Sequence, residues 1–132
     1  MNRSAIVCVD DELIILAALK SELRNAFGNQ FQYETATSAA LAMELIGELQ
    51  ADNIEVILIL SDWLMPGMKG DEFLKQVRER YPGINAILVT GNADERSLRS
   101  VLEEGLVRAV IRKPWKAEDL FSLVKECCAP QS

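Results

Sequence analysis

The chain has 132 residues, 49% hydrophobic and 26% charged, the balance of a folded globular domain rather than of a disordered or membrane-spanning chain. Histidine is absent, which removes Ser-His-Asp and Cys-His catalytic arrangements, His-ligated metal centres and any role as a phosphohistidine donor. The formal net charge of −6 argues against a direct grip on nucleic acid or an anionic membrane.

The first strand-like run is Ala5 to Val9, and Cys8 within it is read as a core residue. Leu16, Leu19, Leu23 and Phe27 then repeat at helical spacing, with Gly28 as a left-handed stop. A second run covers Phe31 to Thr35. Ser38 is placed to cap a helix whose apolar face is Ala42, Leu45, Ile46 and Leu49. Val56 to Leu60 is the third run, followed by a helical face of Phe73, Val77 and Tyr81 and a stop at Gly83. Ala86 to Val89 is the fourth. Asn92 with Glu95 reads as a capping box for a helix burying Leu98, Val101 and Leu102, ended by Gly105. Ala109 to Ile111 is the fifth run, and Leu120, Leu123, Val124 and Cys127 form the last helical face.

Runs one, three and four are nearly unbroken Ile, Val and Leu, as expected of parallel strands covered on both sides. Five strand–helix units predict an α/β fold: a doubly wound, five-stranded parallel sheet of flavodoxin-like order 2-1-3-4-5. One domain is expected over residues 1–132, with a core at about residues 4–128; Ala129 to Ser132 is too short to be an output domain. The adjacent Cys127 and Cys128 are read as reduced thiols, and no secretory leader or apolar span is visible, so a cytoplasmic location is expected.

Open α/β sheets bind ligands outside the carboxyl ends of their strands. The first strand ends in Asp10-Asp11 and the third in Ser61-Asp62, followed by Trp63-Leu64-Met65-Pro66-Gly67. The fourth ends in Thr90-Gly91 and the fifth in Lys113-Pro114-Trp115. Each piece has a plain alternative: a helix cap, a turn former, an ordinary strand end, a surface lysine. In the expected strand order, however, three carboxylates, a hydroxyl and an ammonium converge on one edge. Crowded carboxylates repel, and a hard cation such as Mg2+ relieves them. A carboxylate beside that cation can attack a phosphoryl group, with Lys and Thr stabilising its oxygens.

On these strand ends, and over about residues 4–128, the sequence resembles the receiver domains of two-component response regulators, the CheY-like family. The resemblance implies Asp62 as phosphoacceptor, with Mg2+ held directly by Asp11, Asp62 and the backbone carbonyl of Leu64, and through a water by Asp10. It implies that Lys113 pairs with the phosphoryl group, that Thr90 hydrogen-bonds it, and that the Lys113-Pro114 peptide is cis. It further implies a histidine kinase or histidine phosphotransfer protein as donor and a downstream protein or output domain as reader. Such a module is a phosphorelay component that promotes only its own phosphorylation and dephosphorylation, without direct nucleic-acid or membrane contact; a homodimer is left open.

Two positions depart from the family pattern. Val110 stands where an aromatic residue usually swings inward with Thr90, the family's switch pair. Leu64 offers no polar side chain to orient an attacking water, so slow self-dephosphorylation is expected. The fourth helix, fifth strand and fifth helix are the face expected to change and to be read. Trp63 is expected partly exposed beside the site, or else as a hydrophobic cover for the loop, and Trp115 on a partner surface. Lys75, Arg78, Glu79 and Arg80 read as a solvated face. Two further classes are weighed. An Mg2+-dependent phosphohydrolase with an aspartate nucleophile wants an acid two positions later, where Leu64 stands. An unphosphorylated receiver-like binding module would not need the full set of Asp10, Asp11, Asp62, Thr90 and Lys113. A flavin site is disfavoured by the acidic first loop.

Overall fold

The computed structural model describes residues 3–65, 67–91 and 94–128. In chain order the elements are β1 (Arg3–Val9), α1 (Leu13–Phe27), a short 3-10 turn (Gly28–Gln30), β2 (Gln32–Ala36), α2 (Ala39–Ala51), β3 (Ile54–Ser61), α3 (Gly70–Arg80), β4 (Asn85–Thr90), α4 (Glu95–Glu103), β5 (Ala109–Arg112) and α5 (Ala117–Cys128). The strands form one parallel sheet in the order β2-β1-β3-β4-β5, the doubly wound flavodoxin-like arrangement expected from the alternating periods.

Alternate residues of the strands feed opposite faces, except that Ile57 and Leu58 of β3 both pack on the α1–α5 side. Ala5, Val7 and Val9 of β1 pack with Ala42 and Ile46 of α2, Phe73 and Val77 of α3, and Leu98 and Val101 of α4. Ile6 and Cys8 pack with Leu16, Leu19 and Leu23 of α1 and Leu120 and Val124 of α5. Both faces are therefore covered, which is why the central strands lack polar alternation. The pairing of β1 with β3 shifts once. Ala5 lies opposite Val56 but Ile6 lies opposite Leu58, so Ile57 is an extra residue in β3. Above this bulge Val9 lies level with Ser61.

Several local expectations need correction. The cap of α4 is Asp94, whose Oδ1 accepts the Ser97 N–H at 2.8 Å; Asn92 lies outside the described residues. Leu102 is exposed, because the buried stripe of α4 is Leu98 and Val101 alone. Gly28 and Gly105 have positive φ but Gly83 does not, and Asn53, after α2, does. Phe31 precedes β2, as the residue that closes the 3-10 turn. Ser38 caps α2 as expected, its Oγ accepting the Leu41 N–H at 3.2 Å. The Lys113-Pro114 peptide is cis. No described helix is long and apolar enough to cross a membrane.

Candidate functional site

The strand ends converge because their backbones are tied together. The Asp62 N–H donates to the Val9 carbonyl at 3.0 Å, and the Lys113 N–H to the Thr90 carbonyl at 2.9 Å. These bonds carry the ladder of β1, β3, β4 and β5 one step beyond the strands, so the residues that follow emerge on one edge. There a cleft of about 250 Å³ is lined by Asp11, Glu12, Asp62, Leu64, Thr90 and Lys113. One carboxylate oxygen from each of Asp10, Asp11 and Asp62 lies within 4.8 Å of the others. Asp10, Asp62 and Thr90 are buried, and Asp11 is exposed.

Asp10 is clamped at both oxygens. Oδ1 accepts the Glu12 N–H at 2.8 Å, and Oδ2 accepts from Lys113 Nζ at 2.8 Å. The same ammonium lies 3.5 Å from Asp62 Oδ2 and 3.9 Å from Glu12 Oε1. Asp62 Oδ1 accepts the Trp63 N–H at 2.8 Å, while Oδ2 is the oxygen beside Lys113. Burial, and next the charge of Asp10, push the Asp62 carboxyl above the ordinary carboxylate value, against the pull of Lys113 and the Trp63 N–H. Burial alone would lower Lys113, but its bond to Asp10 and the charge of Asp62 outweigh that, and its pKa is raised.

One lysine thus faces three crowded carboxylates, and the remaining repulsion is what a divalent cation relieves. The all-oxygen donor set of Asp10, Asp11 and Asp62 suits a hard ion such as Mg2+ rather than a soft one.

The acceptor loop is held from below. Gly70 opens α3, and its N–H donates to the Trp63 carbonyl at 2.7 Å. A Cβ there would sit 2.7 Å from the Asp62 carbonyl oxygen and 3.0 Å from Trp63 Cα. Trp63 is buried in the core between the sheet and α2–α4, so it covers the loop and is not exposed beside the site. Trp115 is half-buried against the α1–α5 core, and its indole N–H donates to Glu22 Oε2 at 2.9 Å. Val110 is half-buried and packs on the α2–α4 side. Leu64 is 49% exposed at the cleft's rim. Lys75, Arg78, Glu79 and Arg80 are exposed, as expected of a solvated face.

All five strand-end residues singled out from the sequence, Asp10, Asp11, Asp62, Thr90 and Lys113, therefore meet at this edge. Two residues escaped the sequence reading. Glu12 enters the cleft beside Lys113, and the acidic run that continues past Asp11 was its only signal. Gly70 carried none beyond lying just before a helical face.

Comparison with known proteins agrees with this fold. A family model described as the response regulator receiver domain matches residues 6–125. The chain belongs to that family. The receiver domain is 32% identical over 130 residues to the hydrogenase transcriptional regulatory protein HoxA of Cupriavidus necator, an alignment covering 98% of this chain and 25% of that protein. It is 29% identical over 125 residues to the DNA-binding transcriptional regulator NtrC of Escherichia coli, covering 95% and 25%. The receiver domain spans about a quarter of the length of these curated relatives. Among solved structures, a CheY-like response regulator receiver domain protein from Methanospirillum hungatei superposes with a TM-score of 0.79 at 30% identity, covering 96% of this chain and 93% of that one. The signal receiver domain of an HD domain-containing protein from Pseudomonas fluorescens gives a TM-score of 0.82 at 26% identity, covering 96% and 88%. The module is thus a signalling domain of the two-component response-regulator type.

Proposed function

We propose that this receiver accepts a phosphoryl group on Asp62 from a phosphohistidine of a histidine kinase or histidine phosphotransfer protein. Asp62 Oδ2 is the nucleophile, since Oδ1 is engaged by the Trp63 N–H. As the oxygen–phosphorus bond forms, the phosphorus–nitrogen bond of the donor breaks. Its electron pair leaves on the imidazole nitrogen, which takes up a proton. Lys113 swings from Asp10 and Asp62 toward the phosphoryl oxygens, and the Thr90 hydroxyl hydrogen-bonds another.

Asp11, Asp62 and the Leu64 backbone carbonyl would hold Mg2+ directly, and Asp10 through a water, as the family resemblance implies. When bound, the ion neutralises charge on the transferring phosphoryl group. The phosphohistidine must come from outside residues 1–132, which contain no histidine.

Phosphate becomes a signal through the elements that Thr90 and Lys113 terminate. Moving a two-state switch from 1:99 to 99:1 takes about 5.5 kcal/mol. Charge-assisted hydrogen bonds contribute roughly 1.5–3 kcal/mol each, so about two to four of them supply it. The face that changes is α4-β5-α5, read by an output domain or a separate protein in the cytoplasm. Hydrogen exchange that changed only in α2 on phosphorylation would contradict this. Val110 has no ring to swing inward, so the transition runs through Thr90 and the loop after it.

The observation that carries this reading is the meeting of three carboxylates within 4.8 Å beside an ammonium 2.8 Å from one of them. Intact mass after incubation with Mg2+ and acetyl phosphate tests it. One added phosphate is expected in the wild type and none in Asp62→Asn. Equal gain in both would overturn the assignment.

A further inference from the structure

We infer that Glu12 discriminates among phosphodonors by their charge, an inference that rests on Asp62 being the phosphoacceptor. The Glu12 side chain lines the cleft with its Oε1 3.9 Å from Lys113 Nζ, yet is 59% exposed. It makes no capping bond to α1, although Glu12 is that helix's N-cap, so the helix does not explain its position. Its backbone N–H is committed to Asp10, which fixes the side chain's root at the rim.

The charges at the site single it out. With a divalent ion bound, that ion and Lys113 would balance Asp10, Asp11 and Asp62. Glu12 is the charge left over, and it stands where a donor must enter. Lys113 is the one cation among the described residues lining this cleft. An incoming dianion therefore meets net repulsion at the mouth, whereas a donor of lower charge meets less. A small acyl phosphate is a dianion. Phosphoramidate at neutral pH carries a net single negative charge. A protein-borne phosphohistidine can bring compensating cations of its own. Glu12 thus biases the receiver against free acyl phosphates and toward its protein donor. A unit charge near the reacting group in a water-like dielectric changes a dianion's encounter rate by roughly five- to tenfold, and a monoanion's by about the square root of that. The effect fades in high salt as the Debye length falls to about 3 Å at 1 M.

The test is the initial rate of Asp62 phosphorylation, with saturating Mg2+, by acetyl phosphate and by phosphoramidate, for wild type and Glu12→Gln. The expected result is a five- to tenfold gain with acetyl phosphate, about two- to threefold with phosphoramidate, and collapse of both gains at 1 M salt. A Glu12→Asp variant, which keeps the charge, should behave like wild type. An unchanged ratio of the two donors' rates, or a gain that survives high salt, would overturn the role of Glu12. If the wild type is labelled by neither donor, it is the phosphoacceptor reading that fails.

Discussion

Gly70→Ala gives a direct measure of how rigidly α3 supports the acceptor. The added Cβ would lie 2.7 Å from the Asp62 carbonyl oxygen, about 0.7 Å short of the 3.4 Å at which ordinary contact begins. It would also lie 3.0 Å from Trp63 Cα. Both obstacles are backbone, so no rotamer change relieves them, and moving α3 away stretches the 2.7 Å bond from Gly70 N–H to the Trp63 carbonyl. Overpacking of this kind costs about 1–3 kcal/mol, and Gly70 is the first residue of α3, outside the helix interior where an alanine gains its full propensity. The net is a destabilisation of about 1–3 kcal/mol, or roughly 3–12 °C in Tm for a domain of this size. Gly47→Ala is the control. Its Cβ meets only the Tyr81 hydroxyl at 3.8 Å within α2, so it should stabilise by about 0.5–1 kcal/mol. Urea and thermal unfolding of the two variants decide the matter. A Gly70→Ala protein that melts with or above the wild type would refute the reasoning, since the acceptor backbone would then have room to yield.

Leu64→Asn should speed loss of phosphate from Asp62, because it places a polar group at a half-exposed rim position; equal decay in the two proteins would remove Leu64 from the mechanism. The Ser97 backbone N–H, and next its hydroxyl, hold the Asp94 carboxyl below its ordinary value of 3.8. Its contribution to stability is therefore complete above pH 3.8 and lost as pH falls through the lower folded-state value. The stability gap between wild type and Asp94→Ala, followed by chemical denaturation, should be constant near neutral pH and close below pH 3.8. Burial pushes the Cys8 thiol up to about 12 and Cys128 up to about 11. At pH 8 the native protein should react slowly with a disulfide reagent, Cys8 last, while urea should release all three thiols quickly.

The alternation of apolar runs and helical faces is strong wherever burial is strong, which is why the sheet order and the strand-end residues were legible. Asp10, Asp11, Asp62, Thr90 and Lys113 needed only the strand order to be brought together, because parallel strands deliver their carboxyl ends to one edge. The misreadings came where burial does not decide. Asn92 and Asp94 are both good caps, and only the start of α4 selects Asp94. Leu98, Val101 and Leu102 all fit one stripe, but a nine-residue helix on one sheet face covers only two of them. Trp63 is different: of the two places the sequence leaves open for it, the inward one, as a cover for the loop, is taken, because its ring fits between the sheet and α2–α4. Gly70 is called for by a contact with backbone seven or eight residues earlier, and Glu12 by a lysine 101 residues later.

The spare residue at Ile57 gives the central strand a vernier. Below it, Ile54 and Val56 answer to Arg3 and Ala5; above it, Leu58 to Ser61 answer to Ile6 to Val9. Had the count run evenly, Asp62 would stand one step, about 3.3 Å, out of line with Asp10, with its side chain on the opposite side of the sheet. A small irregularity far below the reactive edge thus trims two strands of unequal length so that acids carried by separate segments arrive level. Any insertion or deletion at that point would be felt first as a mismatch between residues 10 and 62.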